Sequence, residues 1–397
     1  MDAAYSDHYG RGETRASLMN KVPFFKHDLG QREVDAVAKV LAGPILTTGE
    51  TVDLFEKRFS TFLGCQNAIA VNSCTGALHL SLLAMDIGAG DEVITTPMTF
   101  IATATAIMES GALPVFVDVE PGTGNMDPNQ IEAAISPRTK AIMPVHLYGQ
   151  MCDMRTIRNL ADAHGLKVVE DAAHCIEGER DGIRPGELGD TACFSFYATK
   201  NLTCGEGGAV ITNDEDLANK LRKLRLHGMT KTAADRHKEG YQHWDMTMLG
   251  WKYNMDNIHA AILLPQMDRL DVNLKKREEL AEIYEHHLND CIGISLPKTI
   301  SGVRHAHHLF PVWVNNGERD KIVIALQAAG IGVVVNYLAI HLLTYFQKHL
   351  GYKLGDFPCA EKIGNATLSL PFYPAMCQED VVFVSSVLKQ LVKANGE

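Results

Sequence analysis

Lys200 stands in CFSFYATKNLTCGEGG, residues 193–208, where a hydrophobic β-like run gives way to a glycine-rich segment. A lysine amine forms a Schiff base with a carbonyl and afterwards serves as a general base, provided that its surroundings keep part of it unprotonated. Most lysines are solvated surface cations; the setting between a hydrophobic strand and CGEGG argues against that fate for Lys200. Asp171 follows the apolar run LKVV and so falls at the carboxyl end of a sheet strand, where open α/β sheets bind ligands. A carboxylate there can pair with the protonated nitrogen of a pyridine and keep the ring able to accept electrons, although an Asp at a strand end is more often a cap or turn residue. The third segment is NSCTGALHL, residues 72–80, which follows a strand and opens a helix. It would leave the amides of Thr75, Gly76 and Ala77 free to point at an anion; taken alone, it reads as a helix start capped by Ser73 or Thr75. Ser195, on the same strand face as Tyr197, would add a hydroxyl to such an anion site. Together the three segments suit a phosphorylated aromatic aldehyde cofactor.

Short β-rich runs recur through the region that must hold these residues: AIAVN, EVITT, PVFVD, KAIMPV, LKVVED, ACFSFY and AVITN. The first five are spaced widely enough for crossover helices, which predicts a mostly parallel seven-stranded sheet flanked by helices. The last two sit closer, across CGEGG, as a hairpin or an edge pair. The pattern turns helical from Asp214, and a long segment around Asp256–Leu288 would link two lobes. The rest mixes strand-like runs (HHLFPVWV, IGVVVNY) with helices (RDKIVIALQAAG, QEDVVFVSSVLKQLV) and reads as a smaller α+β lobe. The expected division is a flexible tail over residues 1–21, a large domain over 22–270 and a small domain over 271–397.

A net charge of −11 offers no basic surface to a polyanion, so nucleic acid is not an expected partner. The nine cysteines are scattered without C-x-x-C or zinc-site spacing, which implies reduced thiols, no metal and a cytoplasmic setting. No run approaches the ~18 apolar residues of a membrane span.

In order along the chain come VPFFKHDLGQREVDAV, LTTGETVDLFEKRFSTFLG, TGALHLSLLAMDIGAGDEVITTPMTFIATATAI, PVHLYGQMCDM, VVEDAAHC, FSFYATKNLTCGEGGAVITND, LRLHGM, YNMDNIHAAILLPQMDRLD and TLSLPFYP. From about Val22 to beyond Pro374 the chain resembles the DegT/DnrJ/StrS family of sugar aminotransferases, a branch of the fold-type-I pyridoxal-phosphate enzymes. Lys-Asn followed by G-E-G-G is the most specific piece.

The resemblance implies a large pyridoxal 5'-phosphate-binding domain and a role for each matching residue. Lys200 would carry the cofactor as a Schiff base and shuttle a proton; Asp171 would pair with the pyridine nitrogen. His174 would lie beside the ring's phenolic edge and Phe100 would stack on the ring, although Phe100 alone reads as a core residue. Thr75, Gly76 and Ser195 would hold the phosphate. In GWKYNMDN the family segment reaches the neighbouring subunit's phosphate site, which places Lys252 and Asn254 there and implies a homodimer with shared active sites. Its K-Y-N form resembles the branch that aminates 4-keto sugars. NYLAIHLLTYF resembles a family H-Y-x-P-L-H stretch that lines the substrate cleft, which puts His341 at the substrate; Asn336 and Ala339 replace the usual His and Pro. Cys74 replaces a frequent Gly at the phosphate turn. L-glutamate would be the donor and a nucleotide-linked keto sugar the acceptor, for amino-sugar and polysaccharide biosynthesis. Three other readings are weighed against this one. A sugar dehydratase of the same fold carries His in place of Lys200. A non-catalytic regulator or sugar-binding protein stays open. A nicotinamide enzyme lacks its G-x-G-x-x-G here.

Overall fold

A computed structural model describes residues 21–230 and 243–394. The tail expected over 1–21 therefore lies outside the described residues, Lys21 excepted. In chain order the strands are β1 (Asn67–Val71), β2 (Glu92–Thr95), β3 (Leu113–Phe116), β4 (Thr139–Ile142), β5 (Lys167–Asp171), β6 (Glu179–Arg180), β7 (Thr191–Ser195), β8 (Gly208–Thr212), β9 (Ile294–Ser295), β10 (Val303–Arg304), β11 (Phe310–Val314) and β12 (Thr367–Leu370). Seven of them form the central sheet in the order β1-β8-β7-β5-β4-β2-β3. All its neighbours run parallel except β8, which is antiparallel to both β1 and β7. The hairpin expectation for the last two runs holds, and the edge-pair alternative does not: β8 inserts between β7 and β1.

The strands are apolar because helices cover both faces. On one side Phe55 and Phe59 of the helix Glu50–Leu63 pack on Phe194 and Phe196, with ring centroids 5.2–5.4 Å apart. On the other, Leu78, Leu80 and Leu82 of the helix Cys74–Ala84 lie against Ile69, Val93 and Val210. Helix starts follow side-chain caps: Asp153, Asp214 and Asp256 each accept from an amide three residues on. The long helical segment is two helices, Asn257–Met267 and Leu270–Leu288.

The C-terminal part builds a second sheet, β12-β11-β9, antiparallel throughout, over a core that includes Tyr284, Val312, Leu368 and Leu388. One expected strand-like run is corrected. IGVVVNY makes only single bridges, Ile331 to Val22 and Val334 to Ser369. Residues 22–24 meet it at one end, where a side chain at Gly332 would strike the Phe24 amide, and β12 meets it at the other, so no continuous ladder forms.

The topology sets β5 and β7 side by side and parallel, with Asp171 opposite Cys193 and β7 running two residues further. Asp171 and Ser195 thus finish neighbouring strands, and the chain leaving β7 reaches Lys200 within five residues.

Candidate active site

A small cavity opens at this edge, lined in part by His174, Ser195, Lys200, Asn201 and His308. Lys200 is partly open, as a group on a cleft floor must be. Protein nonetheless surrounds its amine closely enough that burial brings the ammonium down to about 8, against the pull of Asp171. The loop carrying it is pinned from the helix Asn257–Met267: Gln266 bonds both the amide and the carbonyl of Thr203.

Asp171 is buried, and burial raises its carboxyl above the usual range; the hydroxyl of Thr103 and the amide of Ala173 pull it back, at 2.7 and 3.2 Å. Thr103 is in turn 2.7 Å from the Thr99 hydroxyl. The helix Ile101–Glu109 begins at Phe100, so one element presents Phe100 and, three residues on, the Asp171 partner. Phe100 is 53% exposed, its ring 5.8 Å from that of Tyr337. Tyr337 in turn faces His174, its hydroxyl 3.2 Å from Nε2. The backbone amide of Tyr148 donates to His174 Nδ1 at 3.2 Å, which leaves the proton of a neutral ring on Nε2, facing Tyr337. Neutral it is: burial, and then the charge of Lys200, hold His174 well below the ordinary histidine range.

The helix opening at Cys74 is joined to this group through Gly208. Ser195 pairs with Gly208 across the β7–β8 hairpin, and a Cβ on Gly208 would lie 2.5 Å from the Ser73 carbonyl carbon. Only glycine lets β8 pass so close to the turn. Ser73 caps the helix, its Oγ accepting from the Gly76 amide at 3.0 Å, and the Ala77 amide bonds the Ser73 carbonyl. The expectation of free amides at Thr75, Gly76 and Ala77 is corrected accordingly: the cap takes Gly76 and helix geometry takes Ala77. The amides of Cys74 and Thr75 are first-turn donors that a helix does not satisfy from within. Gly208→Ala is expected to displace this turn, weaken anion binding and cost roughly 1–3 kcal/mol of stability. Phosphate titration and a thermal melt check it; an unchanged melt would contradict the contact.

Lys252 and Asn254 lie on the far side of the same turn. The Asn72 amide donates to the Tyr253 carbonyl at 2.7 Å, Asn254 bridges Val71, and its Nδ2 donates to the Thr48 hydroxyl. Lys252 is exposed and bonded to Asn254. His341 is set apart from the cavity: it is fully buried, its Nε2 3.0 Å from Glu361 and its ring edge-on to Phe357. The substrate-cleft expectation for His341 is thus corrected, and the residue that its stretch sends to the cleft is Tyr337.

Thr103, Tyr337, Asn201 and His308 are the residues that sequence reasoning missed. Thr103 had a signal, its i+3 spacing from Phe100, and Asn201 adjoins Lys200. His308 had none, because it arrives from more than a hundred residues away. Thr103→Val is expected to weaken affinity for a pyridinium ligand roughly ten- to a hundredfold, the worth of a hydrogen bond to a buried charge. An absorbance titration reads this, and unchanged affinity would contradict it.

The group fits a phosphorylated pyridine aldehyde: a buried carboxylate for the ring nitrogen, a cleft amine for the aldehyde and a glycine-backed helix opening for the phosphate. Comparison with known proteins agrees. The chain matches the DegT/DnrJ/EryC1/StrS aminotransferase family over residues 27–389. It is 43% identical over 378 residues to the spore coat polysaccharide biosynthesis protein SpsC of Bacillus subtilis (strain 168), covering 94% of this chain and 97% of that one. Among solved structures it is similar to S. venezuelae DesV in complex with a ketimine intermediate (36% identity, TM-score 0.83, 91% of this chain and 94% of that one). It is also similar to Helicobacter pylori PseC, an aminotransferase involved in the biosynthesis of pseudoaminic acid (28% identity, TM-score 0.88, 94% and 100%). Similar structures include a PLP-form. Among the described residues no helix is long and apolar enough to cross a membrane, and no cluster of side chains suits a metal ion.

Proposed function

Since this chain belongs to the DegT/DnrJ/EryC1/StrS aminotransferase family of fold-type-I, pyridoxal-phosphate-dependent sugar aminotransferases, we propose the reaction it performs. L-glutamate gives up its amino group, and a nucleotide-linked 4-keto sugar, a hexose or pentose with 6-deoxy forms included, receives it for amino-sugar and polysaccharide biosynthesis. The observation that carries this reading is that Lys200 and His174 line one cavity at the ends of β5 and β7, with the buried Asp171 close enough to act on the Lys200 amine.

Bound pyridoxal phosphate supplies an electron sink at the substrate carbon. The protein's part is positional and protonic. Lys200, with an ammonium near 8, is in part a neutral amine near neutral pH; in the first half it would take the proton from the donor's α-carbon and hand it to the bound cofactor, and in the second half it would carry a proton the other way, to the sugar carbon. Asp171 holds a positive charge at the ring nitrogen, fixed in place by Thr103 and Ala173. His174 presents Nε2–H, through Tyr337, toward the cleft. Phe100 at the mouth covers a ring face, and the Ser195 hydroxyl with the amides of Cys74 and Thr75 holds the phosphate.

The K-Y-N form of residues 252–254 supports the 4-keto preference, and the likeness of GWKYNMDN to the family segment that reaches the neighbouring subunit's phosphate site supports a homodimer in which each protomer completes its partner's site. The division at residue 270 into a cofactor domain and a smaller domain, and a cytoplasmic setting, belong to the same reading. Incubation with L-glutamate and a panel of nucleotide-linked 3-keto and 4-keto sugars, with products resolved by mass spectrometry, tests it. Amination of a 4-keto sugar is expected; exclusive use of a 3-keto sugar would overturn the regiochemistry, and no amination of any member would overturn the substrate class.

A further inference from the structure

His308 is brought to the candidate lysine from the segment just before β11, and its Nε2 lies 3.4 Å from Lys200 Nζ. Its other ring nitrogen, Nδ1, lies 3.2 Å from Asn201 Oδ1. The orientation of Asn201 is fixed from behind: its Nδ2 donates to the Ala306 carbonyl at 2.8 Å and to Glu177 Oε2 at 2.9 Å. The carboxamide oxygen therefore faces the imidazole, and an acceptor there requires the proton on Nδ1. A neutral ring protonated on Nδ1 carries its lone pair on Nε2, where the lysine amine sits. His174, with its ring centroid 4.5 Å away, takes the opposite tautomer because its Nδ1 accepts from the Tyr148 amide. His308, Glu177 and Ala306 are all buried, so the cluster contributes little to a solvated surface. Its geometry defines one thing, an acceptor aimed at Nζ.

We propose that His308 is a positioning residue for Lys200: its Nε2 lone pair receives an N–H of the amine whenever that amine is not covalently engaged, and Asn201 with Glu177 sets the tautomer that makes this possible. The proton count is simple. The neutral amine takes one proton from the substrate carbon and becomes an ammonium, one N–H of which points to Nε2; the ammonium would hand that proton to the bound cofactor within the same half-reaction, the reverse path would serve the acceptor, and His308 itself gains and loses none. The contact keeps the amine within the cleft, directed for both transfers. The inference rests on the reading of Lys200 as the lysine that carries the cofactor.

The test uses the full-length protein stripped of cofactor, and the same protein reloaded, with H308Q, H308N and K200A. Glutamine places an oxygen acceptor near the reach of Nε2; asparagine keeps a polar group opposite Asn201 but is too short to meet the amine. Covalent capture of pyridoxal phosphate, followed by absorbance, is expected to slow about tenfold in H308N and to stay within about threefold of wild type in H308Q. In the glutamate half-reaction H308N should lose kcat by a similar factor with KM little changed. Equal rates in all three histidine forms, or losses in both variants that track a lower melting temperature, would overturn the proposal. If H308N does not fold, 15N spectra of histidine-labelled wild type decide: the resonances missing from H308Q must report an Nδ1–H ring, and an Nε2–H ring would overturn it. K200A separates the two readings, because covalent capture by K200A would refute the role of Lys200 whatever His308 does.

Discussion

Lys200→Ala is expected to lower turnover by at least about four orders of magnitude, since it removes both the group that captures the cofactor's carbonyl and the base that moves the substrate proton. The fold should survive. Lys200 is tethered through its backbone, by its amide to the Tyr197 carbonyl, and the loop is pinned by Gln266 to Thr203, none of which needs the amine. The cofactor-free protein even has something to gain. Burial brings the folded ammonium to about 8 from an ordinary 10.5, so below pH 8 the folded state carries a charge it disfavours, and that cost is relieved as pH rises from about 8 toward 10.5. The alanine variant should therefore melt no lower than wild type at pH 7 in the absence of cofactor. Steady-state assays and thermal melts check both halves; retained turnover would contradict the assignment.

Asp171→Asn is the second large effect, with turnover expected to fall roughly a hundred- to a thousandfold. The amide fills the same volume and keeps an oxygen for the Ala173 amide, while its NH2 group replaces the oxygen that accepts from Thr103 and donates to that hydroxyl instead, so packing changes little. What it loses is the negative charge opposite the ring nitrogen. The same substitution should stabilise the cofactor-free protein at neutral pH. Burial is the largest influence on Asp171 and raises its folded carboxyl above the ordinary value. For an acid shifted that way, the advantage of the folded state is fully present below the ordinary value of 3.8 and is lost as pH rises through the folded one. At neutral pH the wild type carries that cost and the Asn variant does not; toward pH 3 the two should converge. Melting curves of the cofactor-free proteins at both pH values test this. An Asn variant that is fully active, or less stable at pH 7, would contradict the role given to Asp171.

The sheet, and the segments that carry Asp171 and Lys200 to its carboxyl end, were legible in the sequence because both are written locally. Each central strand is a short apolar run buried on both faces, and Asp171 and Lys200 each follow directly from one. The position of β8 was harder, since nothing in AVITN says which neighbour it takes; the hairpin is local, but its insertion beside β1 is decided by packing across the sheet. IGVVVNY has strand composition, yet its pairing depends on which segments cross it. The site residues that were missed share this non-local origin. His308 and Tyr337 reach the cleft only when the C-terminal part folds over β5 and β7. His341 was misplaced for the opposite reason: a motif position suggested the cleft, whereas the pairing with Glu361 and the Phe357 ring draws it into the interior.

The most direct test of the central claim is the absorbance spectrum of the purified protein with pyridoxal phosphate, recorded before and after L-glutamate, beside Lys200→Ala. The wild type should show a cofactor band that glutamate converts to that of the pyridoxamine form, with no such conversion in the variant. A wild type that takes up no cofactor, or a Lys200→Ala protein that is converted just as readily, would contradict the account.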